Sequence, residues 1–344
     1  MKKNFKAAVL FKLNAPLKLI SLNYPKNIGR GRVLVKIKNA AICGAQINEI
    51  RGIKGKDKYL PHMMGHEGYG QVIKLGDGVK RFKIGDEVIM HWRKSKGLEA
   101  DGFKYDSKYG LINSGQVTTF SEFAVVSENR LTKFKLNNKL KILAPLFGCC
   151  LTTAYGIVYK EAKIKKNKNL LIIGCGGLGL AIATFAKIVG VKNIDFIDIN
   201  FPNSKKKYIK SLGLKNYNLI SANKIDVLKK KYNYVLDTSG KTNNISHGFN
   251  YLDKNSDLIL VGQPKIKKKL NLNNPLSFFN GKKIYASDGG RFNPNKDFKR
   301  VVNIVNNNSR IFLNLVSNSY KLRKINLGIR KLMRNEVLRV IINN

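Results

Sequence analysis

Cys43, His66 and Cys149 are residues of the types that hold a soft divalent metal. Two thiolates and one neutral imidazole fill three corners of a tetrahedron and leave the fourth open. That is the pattern of a catalytic zinc rather than a structural one. Soon after Cys149, residues 169–191 read NLLIIGCGGLGLAIATFAKIVGV, an apolar strand, a glycine turn and a helix. In the turn Gly174-Cys175-Gly176-Gly177-Leu178-Gly179, the first glycine permits the tight bend. The second lets backbone approach a pyrophosphate, and the last lets helix and strand pack closely. Asp198 closes the next apolar run about 20 residues further on, where a carboxylate meets a ribose. A polarising metal beside a dinucleotide site points to zinc-assisted hydride transfer.

Asp198 would accept hydrogen bonds from ribose hydroxyls and repel a 2′-phosphate, which favours NAD over NADP. Lys205, Lys206 and Lys207 lie close by in sequence and offer the positive charge a 2′-phosphate needs, so both cofactors stay open at this point.

The elements that must position these residues fall into two halves. Residues 7–11, 32–42 and 69–75 carry β-branched, alternating patterns between glycine turns, which predicts a small β-rich domain. After Pro145 strands and helices alternate: strands at 170–173, 194–199, 234–237 and 258–261, helices at 178–189, 204–212 and 243–251. That alternation predicts a parallel, doubly wound sheet. The tail adds a helix at 296–306 and a strand at 338–342, which suits a return to the first domain. The expected division is 1–148 completed by 288–344, with 149–287 between. The Lys/Asn-rich patch 265–274 reads as a surface loop.

The formal net charge is +43, from 64 Lys and Arg against 21 Asp and Glu. Such a charge attracts nucleic acid and anionic membranes. The lysines are spread along the chain, however, and a binding footprint is made by charge distribution rather than total charge. Lys, Asn and Ile share A/T-rich codons, so the excess reads as compositional, and no specific nucleic-acid partner is expected. Four cysteines, two of them in ligand positions, suit a reduced, intracellular protein. The start MKKNFKAAVLFK lacks the apolar core of a signal peptide. The uncharged stretch 169–186 falls short of the roughly 20 apolar residues a membrane span needs. A cytoplasmic protein without a membrane partner is expected.

Further motifs surround the ligand set: Gly65-His66-Glu67 with Gly70, Gly85-Asp86 with Val88, Gly148-Cys149 with Thr153 and Tyr155-Gly156, Asp198-Ile199-Asn200, and Arg339-Val340-Ile341. With the ligands and the glycine turn, they resemble the zinc-containing medium-chain alcohol dehydrogenases of the medium-chain dehydrogenase/reductase superfamily. That group includes the branch with glutathione-dependent formaldehyde dehydrogenase. The resemblance implies an α/β protein with a GroES-like β-rich catalytic domain and a doubly wound, parallel-sheet Rossmann domain. It implies that Cys43, His66 and Cys149 hold zinc, that Glu67 sits behind the metal, and that Thr153 lies near the nicotinamide. Gly174, Gly176, Gly177, Leu178, Gly179 and Asp198 would bind NAD, and Arg339 would reach the pyrophosphate. It further implies a homodimer or homotetramer that moves a hydride between NAD(H) and a small-molecule alcohol, aldehyde or ketone. The alternatives are a zinc-free quinone or enoyl reductase of the same superfamily and a non-catalytic NAD-binding protein.

The chain departs from the family at three places. No cysteine falls between about His91 and Thr119, where the family carries a four-cysteine zinc lobe, so one catalytic zinc and no structural zinc are expected. Ala45 stands where a serine or threonine hydroxyl relays the alcohol proton. Gln46 stands where an aspartate supports the histidine ligand. The segment His91-Trp92-Arg93-Lys94 is expected to line the substrate pocket. There Trp92 would narrow it, Arg93 and His91 would meet a polar or anionic substrate, and His91 is the nearest candidate for the missing proton relay.

Overall fold

The computed structural model describes residues 3–272 and 275–344, so Met1, Lys2 and the last two residues of the patch 265–274 lie outside it. Residues 265–272 carry neither helix nor strand. The chain divides into two compact units, Met1–Cys149 with Asn293–Asn344, and Cys150–Phe292. Cys149, expected to open the second domain, therefore ends the first part of unit one. It follows the 3-10 turns Asn138–Gly148, which contact the strands of that unit, whereas Cys150 starts a helix that packs on Gly177–Val189.

The first unit holds two sheets. One runs in the spatial order Lys18–Asn23, Asn4–Leu10, His62–Met63, Gly110–Asn113, Lys104–Ser107. The other runs Leu131–Lys133, Glu87–Met90, Gly68–Leu75, Arg32–Ile42, Arg339–Asn343, Val316–Lys321, with Phe123–Ser127 also paired to Arg32–Ile42. Side chains of a strand alternate between faces. Ala8 and Leu10 accordingly enter one apolar cluster with Val33, Val35 and Ile37. Phe5, Ala7 and Val9 enter a second, with Leu34. Nearly all of these side chains are fully buried, which for each Val, Leu, Ile or Phe contributes about 1.5–3 kcal/mol.

The second unit is a six-stranded parallel sheet in the order Leu219–Ser221, Asn193–Asp198, Asn169–Ile173, Tyr232–Asp237, Leu252–Leu260, Lys283–Ala286. Counted from Asn169–Ile173, the strands lie 3-2-1-4-5-6. The strand order reverses between Asn169–Ile173 and Tyr232–Asp237, and a crevice opens at the carboxyl ends of strands at such a point. The helix Gly177–Val189 connects the first two strands and is buried along most of its length. It stops at Gly190, whose φ of 93° is left-handed. Among the described residues no single helix is long and apolar enough to cross a membrane.

Candidate metal centre and nucleotide-binding turn

Three neighbouring strands bring the metal donors together. Arg32–Ile42 lies between Gly68–Leu75 and the C-terminal strand Arg339–Asn343, with Ala40 opposite Gly68 and Val340 opposite Ile42. That register sets Cys43, the pair His66-Glu67, and Arg339 at one edge of the sheet. Cys149 arrives on the 3-10 stretch behind them. A Cβ on Gly148 would stand 2.4 Å from the Met90 carbonyl and 2.9 Å from Glu67 Cα, so only glycine lets Cys149 come this close.

One donor atom from each of Cys43, His66, Glu67 and Cys149 lies within 4.8 Å of the others. His66 Nε2 is buried without a hydrogen-bond partner, whereas Nδ1 is engaged by the Gln46 amide. An orphaned imidazole nitrogen between two sulfurs fits zinc: the donors are those zinc prefers, and a bound metal would relieve the unpaired nitrogen. Cys149 and then His66 hold the Cys43 thiol well below the ordinary range, outweighing burial. Burial pushes the His66 imidazole down, and the Cys43 sulfur more than restores it, leaving it raised. Glu67 is fully buried with its carboxylate on the Arg339 guanidinium. A role for Arg339 at a pyrophosphate would require it to leave that partner.

Gln46 and Ala45 sit on the short helix Gly44–Ile50. Gln46 Oε1 accepts from the Cys43 N–H at 3.0 Å, while Nε2 faces His66, so one side chain braces two of the ligand residues. A cleft of about 590 Å³ opens onto Gln46 and His66. His91, Trp92 and Arg93 are absent from its lining. His91 is buried, its Nδ1–H donates to the Arg93 carbonyl at 2.7 Å, and its Nε2 accepts from the Thr132 hydroxyl at 2.9 Å. Both ring nitrogens are therefore committed, and burial pushes the imidazole down to about 4. His91 braces its own turn and is no proton relay. The Arg93 guanidinium lies 5.0 Å from the centre of the Trp92 ring.

In the second unit Gly174 turns with a φ of 93°, and Gly176 caps the helix that follows. A Cβ on Gly179 would fall 2.1 Å from the Gly174 carbonyl, so helix and turn touch through glycine. The turn thus presents bare backbone N–H groups at a helix N-terminus, which is where a pyrophosphate binds. Gly177 is buried and Leu178 half-buried at the same end. Asp198 accepts from the Cys175 N–H at 2.8 Å and pairs with the buried ammonium of Lys205. Lys205 is thereby committed to Asp198, whereas Lys206 and Lys207 are exposed. Thr153 is buried in the helix Cys150–Gly156. Cys150 and Cys175 are buried too, and burial raises the Cys175 thiol well above its ordinary range.

One feature of this edge escapes sequence reasoning. The turn Asp237-Thr238-Ser239-Gly240 closes the strand beside Asn169–Ile173, and Thr238 Oγ1 donates to the Gly174 carbonyl at 2.6 Å. Asp237 is fully buried and accepts from Ser239 Oγ at 2.6 Å and the Gly240 N–H at 2.9 Å. Burial nonetheless pushes its carboxyl up to about 6. The signal was present in the sequence: an acid ends an apolar strand, as Asp198 does.

Residues 29–136 match the alcohol dehydrogenase GroES-like domain, and residues 177–307 match the zinc-binding dehydrogenase domain. Over 221 aligned positions the chain is 29% identical to an S-(hydroxymethyl)glutathione dehydrogenase of Synechocystis sp., covering 57% of this chain and 59% of that protein. The chain thus spans under two thirds of the length of that curated relative. In an alignment 374 positions long it is 25% identical to alcohol dehydrogenase 6 of Peromyscus maniculatus, covering 98% of this chain and 97% of that protein. The solved structure of benzyl alcohol dehydrogenase from Acinetobacter calcoaceticus superposes with a TM-score of 0.84 at 21% identity, covering 99% of both chains. That likeness shows the fold, a GroES-like unit with a Rossmann-like unit. With both of its halves matched, the chain belongs to the zinc-containing medium-chain alcohol dehydrogenases, a family of oxidoreductases.

Proposed function

We propose that the protein is a cytoplasmic, NAD-dependent alcohol dehydrogenase or aldehyde reductase that uses one catalytic zinc and works as a homodimer or homotetramer. The observation that carries this reading is the convergence of Cys43, His66 and Cys149 around a buried, unpartnered imidazole nitrogen. Zinc-free reductases have no use for such a donor set. Held by these three residues, zinc would supply Lewis-acid polarisation of the substrate oxygen. Cys43 and Cys149 supply the two thiolates, and Gln46 orients His66. Glu67, neutralised by Arg339, stands behind the donors. The turn from Gly174 to Gly179 would hold the cofactor pyrophosphate, and Asp198 its ribose hydroxyls. The pairing of Lys205 with Asp198 removes one of the three nearby lysines that could meet a 2′-phosphate, which supports NAD. Four free cysteines suit a reducing compartment.

The test joins elemental analysis with cofactor reduction. Purified protein should carry about one zinc per chain, as a single tetrahedral site implies. It should form NADH with an alcohol in preference to NADPH. Cys43→Ser and Cys149→Ser should lose zinc and activity together while keeping the circular dichroism of the folded chain. Two zincs per chain, or activity retained without zinc, would refute the proposal. Zinc and NAD binding with no turnover on any alcohol or aldehyde would support a non-catalytic binding protein instead.

A further inference from the structure

The cleft beside Gln46 and His66 differs in charge from the chain around it. The whole sequence has 64 Lys and Arg against 21 Asp and Glu. The lining of the cleft has three carboxylates, Glu49, Asp57 and Asp101, against a single lysine, Lys104. Asp57 is committed: it accepts from the Tyr59 N–H at 2.9 Å and lies 2.9 Å from His62 Nε2. The His62 Nδ1–H donates to the Met63 carbonyl at 2.8 Å and so fixes that ring. Glu49 has His62 Nε2 at 3.9 Å, beyond hydrogen-bond reach, and its side chain is 43% exposed. Its carboxylate is open to the cleft, one helical turn beyond Gln46 on the same face of Gly44–Ile50.

A second, independent observation concerns Thr118, which lines the same cleft and is only 3% exposed. Its buried hydroxyl has no hydrogen-bond partner in the fold. Native proteins rarely leave such a group unpaired, so a ligand hydroxyl or ordered water is its natural partner. Gln116 adds an amide to the lining. The volume of about 590 Å³ lies within the range of small-molecule sites.

We infer that this cleft selects a neutral polyol, an alcohol whose additional hydroxyls bind Glu49, Thr118 and Gln116 while its reacting carbon approaches the metal donors. This rests on the oxidoreductase reading above. A hydroxyl donates and accepts at once, so it satisfies the Glu49 carboxylate, the Gln116 amide and the Thr118 oxygen alike. An anionic substrate meets three carboxylates. An ammonium group would pair with Glu49 but has no acceptor to offer the Gln116 amide or the Thr118 hydroxyl hydrogen, and an apolar alcohol would desolvate Glu49 and leave Thr118 unpaired. Arg93, set against a polar or anionic substrate on sequence grounds, does not line this cleft.

The experiment follows NADH formation by the zinc-loaded protein with four matched compounds: a linear polyol, the monoalcohol of equal chain length, the corresponding hydroxy acid, and the amino alcohol. The polyol should lead in kcat/KM by about tenfold or more, chiefly through KM, because hydroxyl-binding sites discriminate strongly against analogues that leave them unpaired. Glu49→Gln and the isosteric Thr118→Val should each erode that lead by about tenfold. Saturation-transfer NMR on the same protein reads polyol binding without turnover. If the monoalcohol, hydroxy acid or amino alcohol equals the polyol, or neither variant changes the ratio, the inference is overturned while the oxidoreductase reading stands. Polyol binding that Glu49→Gln weakens, with no turnover of any compound, would uphold the cleft's selectivity and overturn the oxidoreductase reading. No binding and no turnover would overturn both.

Discussion

At the scale of single residues, Gln46 shows what a carboxylate-to-amide exchange does to a metal ligand. Its oxygen accepts from the Cys43 N–H, so its nitrogen must face His66. An amide nitrogen only donates, which makes His66 Nδ1 the acceptor and leaves the proton on Nε2. Metal binding needs the opposite tautomer, with Nδ1–H donating to its support and a lone pair on Nε2. Gln46 must then turn its amide and give up Cys43. Glutamate has the same shape and two acceptor oxygens, so it can serve the Cys43 N–H and a His66 Nδ1–H together. Gln46→Glu should therefore tighten zinc binding by about tenfold or more, the scale of outer-shell effects on metal sites. Competition with a chromophoric chelator measures this, and an unchanged or weaker affinity would contradict the argument. His91 makes a second prediction at this scale. Its imidazole is held at about 4 in the fold, against about 6.5 for an unfolded histidine. The stability from its depressed pKa is complete above about 6.5 and is lost as pH falls through about 4, roughly 3 kcal/mol in all. Asp237 acts with the opposite sign in the same window, because its raised carboxyl stabilises the fold at low pH and ceases to do so as pH rises through about 6. Comparing His91→Gln with the unmodified protein cancels that contribution. The variant should lose about 3 kcal/mol less on acidification from pH about 6.5 to about 4, read from urea midpoints. Parallel losses would show that His91 does not carry the acid sensitivity.

At the scale of elements, the metal donors are placed by strand ends rather than by a local motif. Register between Arg32–Ile42, Gly68–Leu75 and Arg339–Asn343 sets three of the four side chains, and the fourth depends on one close approach at Gly148. Gly148→Ala would push its Cβ against the Met90 carbonyl and displace Cys149. The expected result is a fold weakened by about 1–3 kcal/mol, the usual cost of overpacking, with zinc content well below that of the unmodified protein. A variant that keeps full zinc would show that Cys149 tolerates the shift. Much of this scale was legible beforehand. The alternation in Arg32–Ile42 and the strand-turn-helix at Gly174 are long, strongly patterned segments, and Asp198 stands at a fixed distance from that turn. The hairpin Lys104–Ser107 and Gly110–Asn113 was not legible: its strands are four residues each and largely polar, too short for a period to register. The helix Gly44–Ile50 has only seven residues and was missed for the same reason. Those two elements carry Glu49 and Lys104 and form walls of the cleft, whereas the segment His91–Lys94, which the family resemblance implies lines a substrate pocket, lies outside that lining. The role of His91 is not legible in the sequence, because a histidine's exposure and partners are set by tertiary packing, to which its neighbours in sequence give no clue.

At the scale of the whole molecule, the dominant fact is the charge. Counted one to one, the 21 carboxylate side chains can neutralise only 21 of the 64 lysines and arginines, which leaves a formal +43. Several carboxylates are already engaged, Glu87 with Lys38 at 2.7 Å, Asp86 with Lys133 at 2.6 Å, Asp195 with Lys230 at 2.9 Å. The cations therefore outnumber the carboxylates that could neutralise them, and a charge of one sign destabilises the compact state through self-repulsion. Two electrostatic effects compete when salt is added. Screening of exposed ion pairs lowers stability by tenths of a kcal/mol per pair, since such pairs contribute about 0–1 kcal/mol each. Screening of the excess positive charge raises stability. With so many unpaired cations the second effect wins, because repulsion acts over the whole surface at low ionic strength. The Debye length shrinks from about 30 Å at about 0.01 M to about 8 Å at about 0.15 M, shorter than most separations between lysines on different faces. The thermal midpoint of the zinc-loaded protein should accordingly rise as sodium chloride is raised across that range. A midpoint that falls would mean that the ion pairs outweigh the excess charge. The same salt series reads out association with nucleic acid. A duplex held only by diffuse lysine charge should be released steeply with salt and without preference between sequences. Retention of one sequence over another at about 0.15 M would reveal a footprint that the even spread of lysines along the chain argues against.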